Sequence, residues 1–247
     1  LDSRIGRLFM CGIPGTEMDS ETESLIRNHA LGGIILFARN IESPMQVASL
    51  CKRLQKTAVK AHGTPLFLAV NWGNDLSVVN RLIAAGANVN DHAPRGEEVL
   101  FSTLFYGLPE IIDALLDAGA RLPDDEGRLL QSIFLAASNG NDRVFELARR
   151  EAESRDLPWG RRVSMHAAAR GGSVAIGEAL LANGADPDER EIHGVTPLHI
   201  AAENGRASFV EFLVRNGASM ETASFQGMRA IHFARENGHD SVAAALL

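Results

Sequence analysis

Three histidines recur at a fixed interval of 33 residues, at His166, His199 and His232. Imidazole binds zinc and can act as an acid or base near neutral pH. Equivalent positions in packed neighbouring units lie about 10 Å apart, whereas zinc needs bonds of about 2 Å to each of its ligands. The spacing therefore predicts histidines bonded to the backbone of their turns, and neither a metal site nor another cofactor.

The unit around His199 is typical of a helix pair. Residues 195–205 read VTPLHIAAENG, and VSMHAAARGG and RAIHFARENG surround the other two histidines. Thr196 can cap a helix that begins at Pro197, and Gly205 can end it. A second apolar run follows and ends at Gly217. Since one such pair cannot bury its apolar face alone, the units are expected to stack as a solenoid.

TPLH followed by small residues, with a second run closed by glycine, resembles the ankyrin repeat. The resemblance implies a mainly α-helical fold, an ankyrin-repeat solenoid of about six units over residues 64–247. The second unit has lost TPLH, and an irregular turn at 156–162 follows the long second helix of the third. We place the units at residues 64–90, 98–121, 129–155, 163–186, 196–219 and 229–247.

Residues 1–62 do not carry the repeat. The apolar runs 7–12 and 34–37 predict two buried strands. A helix that begins near Ser20 follows the first strand and a helix that begins at Pro44 follows the second, an order that implies a parallel α/β arrangement. The phrases RLFMCGIPGTEMDSET and LGGIILFARNIESP resemble the start of family 3 glycoside hydrolases, in particular the β-N-acetylhexosaminidase branch. The resemblance implies a short, incomplete βαβα segment like the start of a TIM barrel.

The two resemblances meet near residue 63. In the hydrolase family the next strand ends in an aspartate that binds the substrate sugar, but here PLFLAVNWG places Asn71 at that position. Asn71 would then be a degenerate substrate-binding position, without the charge that strengthens hydrogen bonds to sugar hydroxyls. The same stretch with Thr64 also reads as the opening of an ankyrin unit, and VVNRLIAAGANVN continues that unit.

Retaining glycoside hydrolysis needs two carboxyl groups about 5 to 5.5 Å apart. The resembling family carries its aspartate nucleophile and a histidine loop on later barrel loops, and the KHFPGHG-like segment has no counterpart here. Four elements cannot close an eight-stranded barrel. We therefore predict no catalytic residue. The alternative is a β-N-acetylhexosaminidase-type hydrolase of O-glycosyl bonds, in carbohydrate or cell-wall recycling, of which only the first barrel elements are present; an accidental fusion is a third interpretation.

The expected function is non-catalytic binding of a protein partner. Turn tips and the exposed face of each first helix form the usual contact surface of a solenoid, and exposed aromatic and arginine side chains are typical interface anchors. For the tryptophan of the first unit, packing under the N-terminal segment is an equal alternative. We assign to the surface Trp72, Trp159, Arg162, Ile192, His193, Glu203, Asn204, Phe225, Gln226, Met228 and Glu236.

Composition narrows the class of partner and the compartment. With 24 basic and 31 acidic residues the net charge is −7, which disfavours nucleic acid and anionic membranes. Two cysteines without paired spacing favour a reducing, cytoplasmic location, and no apolar run is long enough to span a bilayer. Strand edges left open in residues 1–62 would allow self-association through this segment. Because the sequence begins at Leu1 and stops within an expected helix, we expect a fragment of a longer protein.

Overall fold

The structure, a computed structural model, describes residues 10–12, 17–29, 33–35, 46, 49–50, 53, 64–73, 75–92, 96–106 and 108–247. It is mainly α-helical, which confirms the predicted class. The chain forms two compact units, one of Leu1–Thr103 with Glu110–Arg121 and one of Leu104–Pro109 with Leu122–Leu247. The boundary predicted near residue 63, between the hydrolase-like segment and the ankyrin repeats, is a different one, and it stays a prediction.

In the first unit, two three-residue strands, β1 (Met10–Gly12) and β2 (Gly33–Ile35), pair in parallel with Met10 opposite Gly33. Helix α1 (Ser20–His29) lies between them in the chain. It begins after Asp19, whose carboxylate accepts the Thr22 backbone N–H at 2.7 Å, an N-cap contact. Most of the predicted second helix lies outside the described residues, although Leu50 is helical and buried. The likeness to the start of a TIM barrel stays a prediction.

The first repeat follows with helix α2 (Pro65–Leu68), a π-helical turn (Ala69–Gly73) and helix α3 (Leu76–Ala84). Thr64 caps α2 by accepting the Phe67 N–H at 3.3 Å, and Asp75 caps α3 through the Ser77 N–H at 2.8 Å. Proline at the first helical position needs no N–H partner. The chain therefore turns helical where the hydrolase pattern requires a strand.

Helices α4 (Val99–Leu104) and α5 (Pro109–Asp117) belong to the next repeat. The side chain of Asn90, in the turn that follows α3, joins the turns of the two repeats. Its Nδ2 donates to the Gly119 carbonyl at 3.0 Å, and its Oδ1 accepts the Arg121 N–H at 2.8 Å. One amide thus satisfies two backbone groups that the turns leave without partners.

Helix pairs build the second unit. Its helices are α6 (Glu126–Asn139), α7 (Asp142–Ser154), α8 (Met165–Gly171), α9 (Val174–Ala182), α10 (Pro197–Glu203), α11 (Ala207–Arg215), α12 (Ala230–Glu236) and α13 (Asp240–Ala245). The first helices α6, α8, α10 and α12 pack in that order, and the second helices α7, α9, α11 and α13 form a parallel row. This two-layer stack is the arrangement that the 33-residue period predicts.

Residue size explains the packing of the two rows. Ala168, Ala201 and Ala202 are fully buried in the first row, where small side chains let neighbouring helices approach. Phe209 and Leu213 on α11 are also fully buried. Burying a side chain of that size stabilises the fold by about 1.5 to 3 kcal/mol, so the large residues supply most of the stabilisation and the small ones set the spacing.

The turn after α7 corrects one expectation. Trp159, predicted to project from the surface, is only 6% exposed. Helix α7 has 13 residues against 9 in α9 and α11, and it covers the indole: the Phe145 ring lies edge-on at 5.8 Å, and Nε1 donates to Glu153 at 3.2 Å. The exposed placement of Trp159 is therefore wrong, because the longer helix brings apolar and polar partners to it.

Gly177, on α9, lies at a tightly packed position of the second row of helices. A Cβ added there would lie 2.5 Å from the Phe212 ring and 2.9 Å from the Phe209 ring. Helix propensity alone favours alanine over glycine by about 1 kcal/mol, but forcing an atom into a packed core costs about 1 to 3 kcal/mol. We expect Gly177→Ala to lower the free energy of unfolding, measured by urea denaturation.

Gly127, in the first turn of α6, is the matched control. A Cβ added there would meet only the carboxylate oxygen of Asp125, at 3.3 Å. Gly127→Ala should therefore leave the free energy of unfolding unchanged or raise it by up to about 1 kcal/mol. Stabilisation of both variants would contradict the close contact between Gly177 and the two phenylalanine rings.

Candidate protein-interaction surface

Two hairpin tips, residues 191–195 and 224–228, present apolar side chains at equivalent positions of successive repeats. Ile192 is 88% exposed and Phe225 is 73% exposed. Each tip is closed by a backbone hydrogen bond, from Gly194 N–H to Glu191 O at 2.8 Å and from Gly227 N–H to Ser224 O at 2.9 Å. The tight turns direct both apolar side chains into solvent.

The two tips are bonded to each other. The Phe225 N–H donates to the His193 carbonyl at 3.0 Å. The Phe225 ring lies against Gly194, since a Cβ added to this glycine would be 2.7 Å from Cδ1 of Phe225. The backbone φ of Gly194, +70°, also favours glycine. We use the name tip ridge for Ile192, His193, Phe225 and Gln226. The ridge is exposed, yet backbone contacts fix its shape.

The other predicted surface residues divide by exposure. Arg162, His193, Glu203, Gln226 and Glu236 are exposed. Glu203 and Glu236 are the last residues of α10 and α12, so they occupy equivalent places in the first row. The structure thus brings four of the predicted residues together as the tip ridge and two more onto neighbouring first helices.

Asn204 and Met228 are half-buried. The Asn204 amide donates to the Ile200 carbonyl of its own helix at 2.8 Å, so part of its polar surface is already used. The side chain of Trp72 lies outside the described residues. Its two alternatives, a surface anchor or a residue packed under the N-terminal segment, both stay predictions.

The repeated histidines hold the tips in place. His166 Nε2 lies 2.9 Å from the Val195 carbonyl, and His199 Nε2 lies 2.9 Å from the Met228 carbonyl. In both cases the carbonyl belongs to the hairpin of the following repeat. Each histidine therefore fixes the next tip against the first helix of its own repeat, which is a structural role.

His199 is positioned as a neutral imidazole. Its Nδ1 accepts the Thr196 backbone N–H at 3.1 Å, and its Nε2 is left to donate to Met228. Burial lowers the pKa of His199; the bond to the Met228 carbonyl opposes this effect, and the charges of Arg190 and His166 add to it. The net result is a pKa below the ordinary value of 6.5.

His166 has a different environment, because both of its ring nitrogens face acceptors. Nδ1 lies 3.0 Å from Glu189 Oε1 and 3.9 Å from Glu191 Oε1, while Nε2 faces Val195. A neutral imidazole donates from one nitrogen only, so this geometry is satisfied by the protonated ring. Burial lowers the pKa of His166, but the bonds to Glu189 and Val195 and the nearby Glu191 charge together raise it above 6.5.

Glu189 is the functional residue that the sequence patterns did not single out. Its carboxylate also accepts the Met165 N–H at 2.8 Å, and its bond to His166 is the main reason that the pKa of Glu189 is lowered. Two differences between successive repeats accompany the different environments of His166 and His199. Val163 stands where the next repeat has Thr196, and Glu189 stands where the next repeat has Thr222. Aligning the repeats position by position would have found both.

Asn71 lies in the π-helical turn between α2 and α3. Its Nδ2 donates to the Phe67 carbonyl at 2.8 Å, and its Oδ1 accepts the Ser102 hydroxyl at 2.7 Å. The amide therefore joins the first helices of two successive repeats within the first unit. Its position in a helical turn differs from the strand end that the hydrolase pattern requires.

Comparison with protein families identifies the repeats. The family described as "Ankyrin repeats (3 copies)" matches residues 164–247, and the family described as "Ankyrin repeat" matches residues 63–93. The chain carries ankyrin repeats. These matches include the two hairpin tips of the second unit and the helical turn that contains Asn71, and they confirm the predicted resemblance.

A second similarity accompanies the ankyrin repeats. An N-terminal segment matches a "Beta-hexosaminidase" of Pseudomonas aeruginosa (strain LESB58) at 42% identity over 63 residues, which is 26% of this chain and 18% of that protein. A "Beta-hexosaminidase" of Tolumonas auensis is 36% identical over 63 residues, with the same shares of the two chains. One of Thiobacillus denitrificans is 28% identical over 103 residues, 38% of this chain and 28% of that protein. The ankyrin-repeat chain thus spans less than a third of these relatives' length.

Two further properties of the described residues concern other kinds of site. In the ranges that the structure describes, no helix is both long and apolar enough to cross a membrane. Within the same ranges, no group of three or more histidine, cysteine, aspartate or glutamate side chains could hold a metal ion.

The two buried histidines should give opposite pH effects on stability. A raised pKa for His166 contributes stability that is present below its unfolded pKa of about 6.5 and is lost as the pH rises through the folded pKa. A lowered pKa for His199 makes stability fall as the pH falls below about 6.5. We expect the stability advantage of wild type over His166→Gln to shrink from pH 6 to pH 8, while its advantage over His199→Gln grows from pH 5.5 to pH 7.

Urea denaturation across this pH range measures both differences. Glu189→Gln should reduce the pH dependence that His166 causes, since it removes the carboxylate paired with Nδ1, and it should leave the His199 effect in place. Equal pH slopes for the two histidine variants would show that both rings titrate alike, contrary to their contacts.

Proposed function

We propose that the chain is a non-catalytic protein-interaction module whose partner binds the tip ridge and the exposed face of the first helices. The observation that carries this proposal is the pair of exposed apolar side chains, Ile192 and Phe225, at equivalent positions of adjacent ankyrin repeats. A large apolar side chain held in solvent gains free energy when a partner covers it.

The mechanism is binding to a preformed surface. The His193–Phe225 backbone bond and the contact between Phe225 and Gly194 restrict the ridge before a partner arrives. Association then loses less conformational entropy than it would on a mobile loop, so more of the contact energy appears as affinity. His166 and His199 contribute by anchoring the two hairpins.

The N-terminal segment is proposed as a vestige of a β-N-acetylhexosaminidase-like hydrolase. Its similarity to those enzymes favours the alternative that the chain is the opening part of such an enzyme. Against activity of this chain stand the helical turn around Asn71 and the use of its amide within the fold. A TIM-barrel origin of residues 1–62 and self-association through their strand edges belong to the same proposal.

We also propose a cytoplasmic location and a protein as the partner, with neither nucleic acid nor membrane as ligand. The net charge of −7 disfavours nucleic acid and anionic membranes as ligands. Two cysteines without a paired spacing support a reducing compartment.

Site-specific photo-crosslinking tests the interaction surface. The full chain would carry p-benzoylphenylalanine in place of Phe225 or Ile192 and be irradiated in an extract of the organism that makes it. Leu147, on the second-row helix α7, is 42% exposed and gives the matched control position. We expect a discrete protein adduct from positions 225 and 192 and none from 147. Equal labelling from all three positions would refute a tip-centred surface.

A chromogenic substrate tests the enzyme alternative. We expect the purified chain to release no 4-nitrophenol from 4-nitrophenyl N-acetyl-β-D-glucosaminide above the rate of a denatured sample. Turnover that survives Asn71→Ala but falls in a carboxylate variant such as Asp124→Asn would establish the hydrolase instead.

A further inference from the structure

We propose that the partner segment at the tip ridge is extended and cationic, and that it carries two large apolar side chains three residues apart. This inference rests on the proposed function, because it names the chemistry of the partner that the surface binds. Three observations support it: the spacing of the two apolar residues, the tip peptide N–H groups that have no backbone acceptor, and the surplus of acidic residues in the last repeats.

Spacing sets the apolar pattern. Ile192 and Phe225 occupy equivalent positions of adjacent repeats, and packed helices lie about 8 to 10 Å apart. A chain in the extended polyproline II conformation rises about 3.1 Å per residue and has three residues per turn, so side chains three positions apart lie on one face about 9 Å apart. Two apolar side chains three positions apart in such a segment can therefore contact Ile192 and Phe225 together.

Backbone groups at the tips favour an extended segment over a helix. Among the described residues, the peptide N–H groups of Ile192 and Gln226 have no backbone acceptor. A polyproline II segment makes no internal hydrogen bonds, so its C=O groups can accept from such peptide N–H groups. A helix satisfies its own backbone and would offer side chains only.

Charge sets the sign of the segment. Residues 163–247 contain ten acidic and six basic residues. Glu203 and Glu236 are exposed at the ends of α10 and α12, and no ion pair involves either within the part of the chain that the structure describes. Glu191, next to Ile192, is 54% exposed in its side chain.

Two arginines that flank the tips in the sequence make contacts other than with these glutamates. Arg190 donates to the Ala223 carbonyl at 3.2 Å, and Arg229 pairs with Glu221 at 2.7 Å. They do not neutralise Glu203 or Glu236. Lysine or arginine side chains from a partner would complement these carboxylates and speed its association.

The cationic preference applies to the last two repeats. Arg170, which is exposed, occupies the position in α8 that Glu203 and Glu236 occupy in α10 and α12. Along the stack, this position therefore carries a positive charge in α8 and a negative charge in α10 and in α12. This order gives the bound segment a direction, since its basic residues lie over the two glutamates and its end near Arg170 carries no positive charge.

Selection from a phage-displayed library of random linear peptides of about twelve residues tests the proposal, since that length covers about 40 Å when extended. The full chain is the bait, and peptides that also bind the Ile192→Ala/Phe225→Ala double variant are removed. We expect the remaining peptides to be enriched in lysine or arginine and to have large apolar residues three positions apart.

Synthetic versions of the enriched peptides would then be measured by fluorescence anisotropy. Phe225→Ala should weaken binding by about tenfold or more, as expected for an aromatic anchor. Glu203→Lys and Glu236→Lys should each weaken it by about fivefold, and added salt should weaken wild-type binding. Glu178→Lys, with the same charge change at an exposed site on second-row helix α9, is the matched control and should leave affinity unchanged.

Other outcomes overturn the proposal. Enrichment of acidic or uncharged peptides would refute the cationic segment, and apolar residues seven positions apart would indicate a helix instead. Failure to enrich any linear peptide would also refute it. Photo-crosslinking through positions 192 and 225 can succeed in each of these cases with a folded partner, so failure of this inference is distinguishable from failure of the proposed function.

Discussion

Burial of apolar surface between successive helix pairs is the interaction on which the second unit depends. A single pair such as α10 and α11 exposes apolar residues on the sides that face its neighbours, and only stacking removes them from water. Ala201 and Ala202 let the first helices approach, and Phe209 fills the space in the second row. Gly177 leaves room for the Phe209 and Phe212 rings. The stability of each repeat in this arrangement therefore depends on its contacts with the neighbouring repeats.

The same stacking positions the surface that we propose binds a partner. Each hairpin is held by a histidine of the preceding repeat, and the Phe225 N–H joins one hairpin to the other. The two histidines perform this task in different electrostatic environments: the pKa of His166, which faces the Glu189 carboxylate, is raised, and that of His199, which accepts a backbone N–H, is lowered. A repeated sequence position therefore does not imply a repeated electrostatic environment.

The stretch from Pro65 to Gly73 shows how one phrase can fit two folds. Its apolar residues suit a buried strand as well as a helix, since periodicity alone does not separate short apolar runs. Caps decide the outcome: Thr64 closes the start of α2, and Asp75 closes the start of α3. Once the stretch is helical, Asn71 bonds to Phe67 and Ser102, and its amide serves the packing of two repeats.

The sequence by itself determined the repeat, because helix caps, glycine stops and apolar spacing are local properties that recur every 33 residues. It predicted the start of α10 at Pro197, its stop near Gly205 and the backbone role of the histidines. It also predicted which residues occupy the hairpin tips, since tip position follows from register.

Only the tertiary structure decided which tip residues are exposed and which ionisable groups are paired. Trp159 has the same register as Ile192 and Phe225, but the longer α7 covers it with Phe145 and Glu153. Glu189 lies 23 residues from His166 along the chain, and the repeat stack brings their side chains to 3.0 Å. Burial and pairing depend on what a neighbouring repeat places nearby, and that distance is set by packing, which a local pattern does not contain.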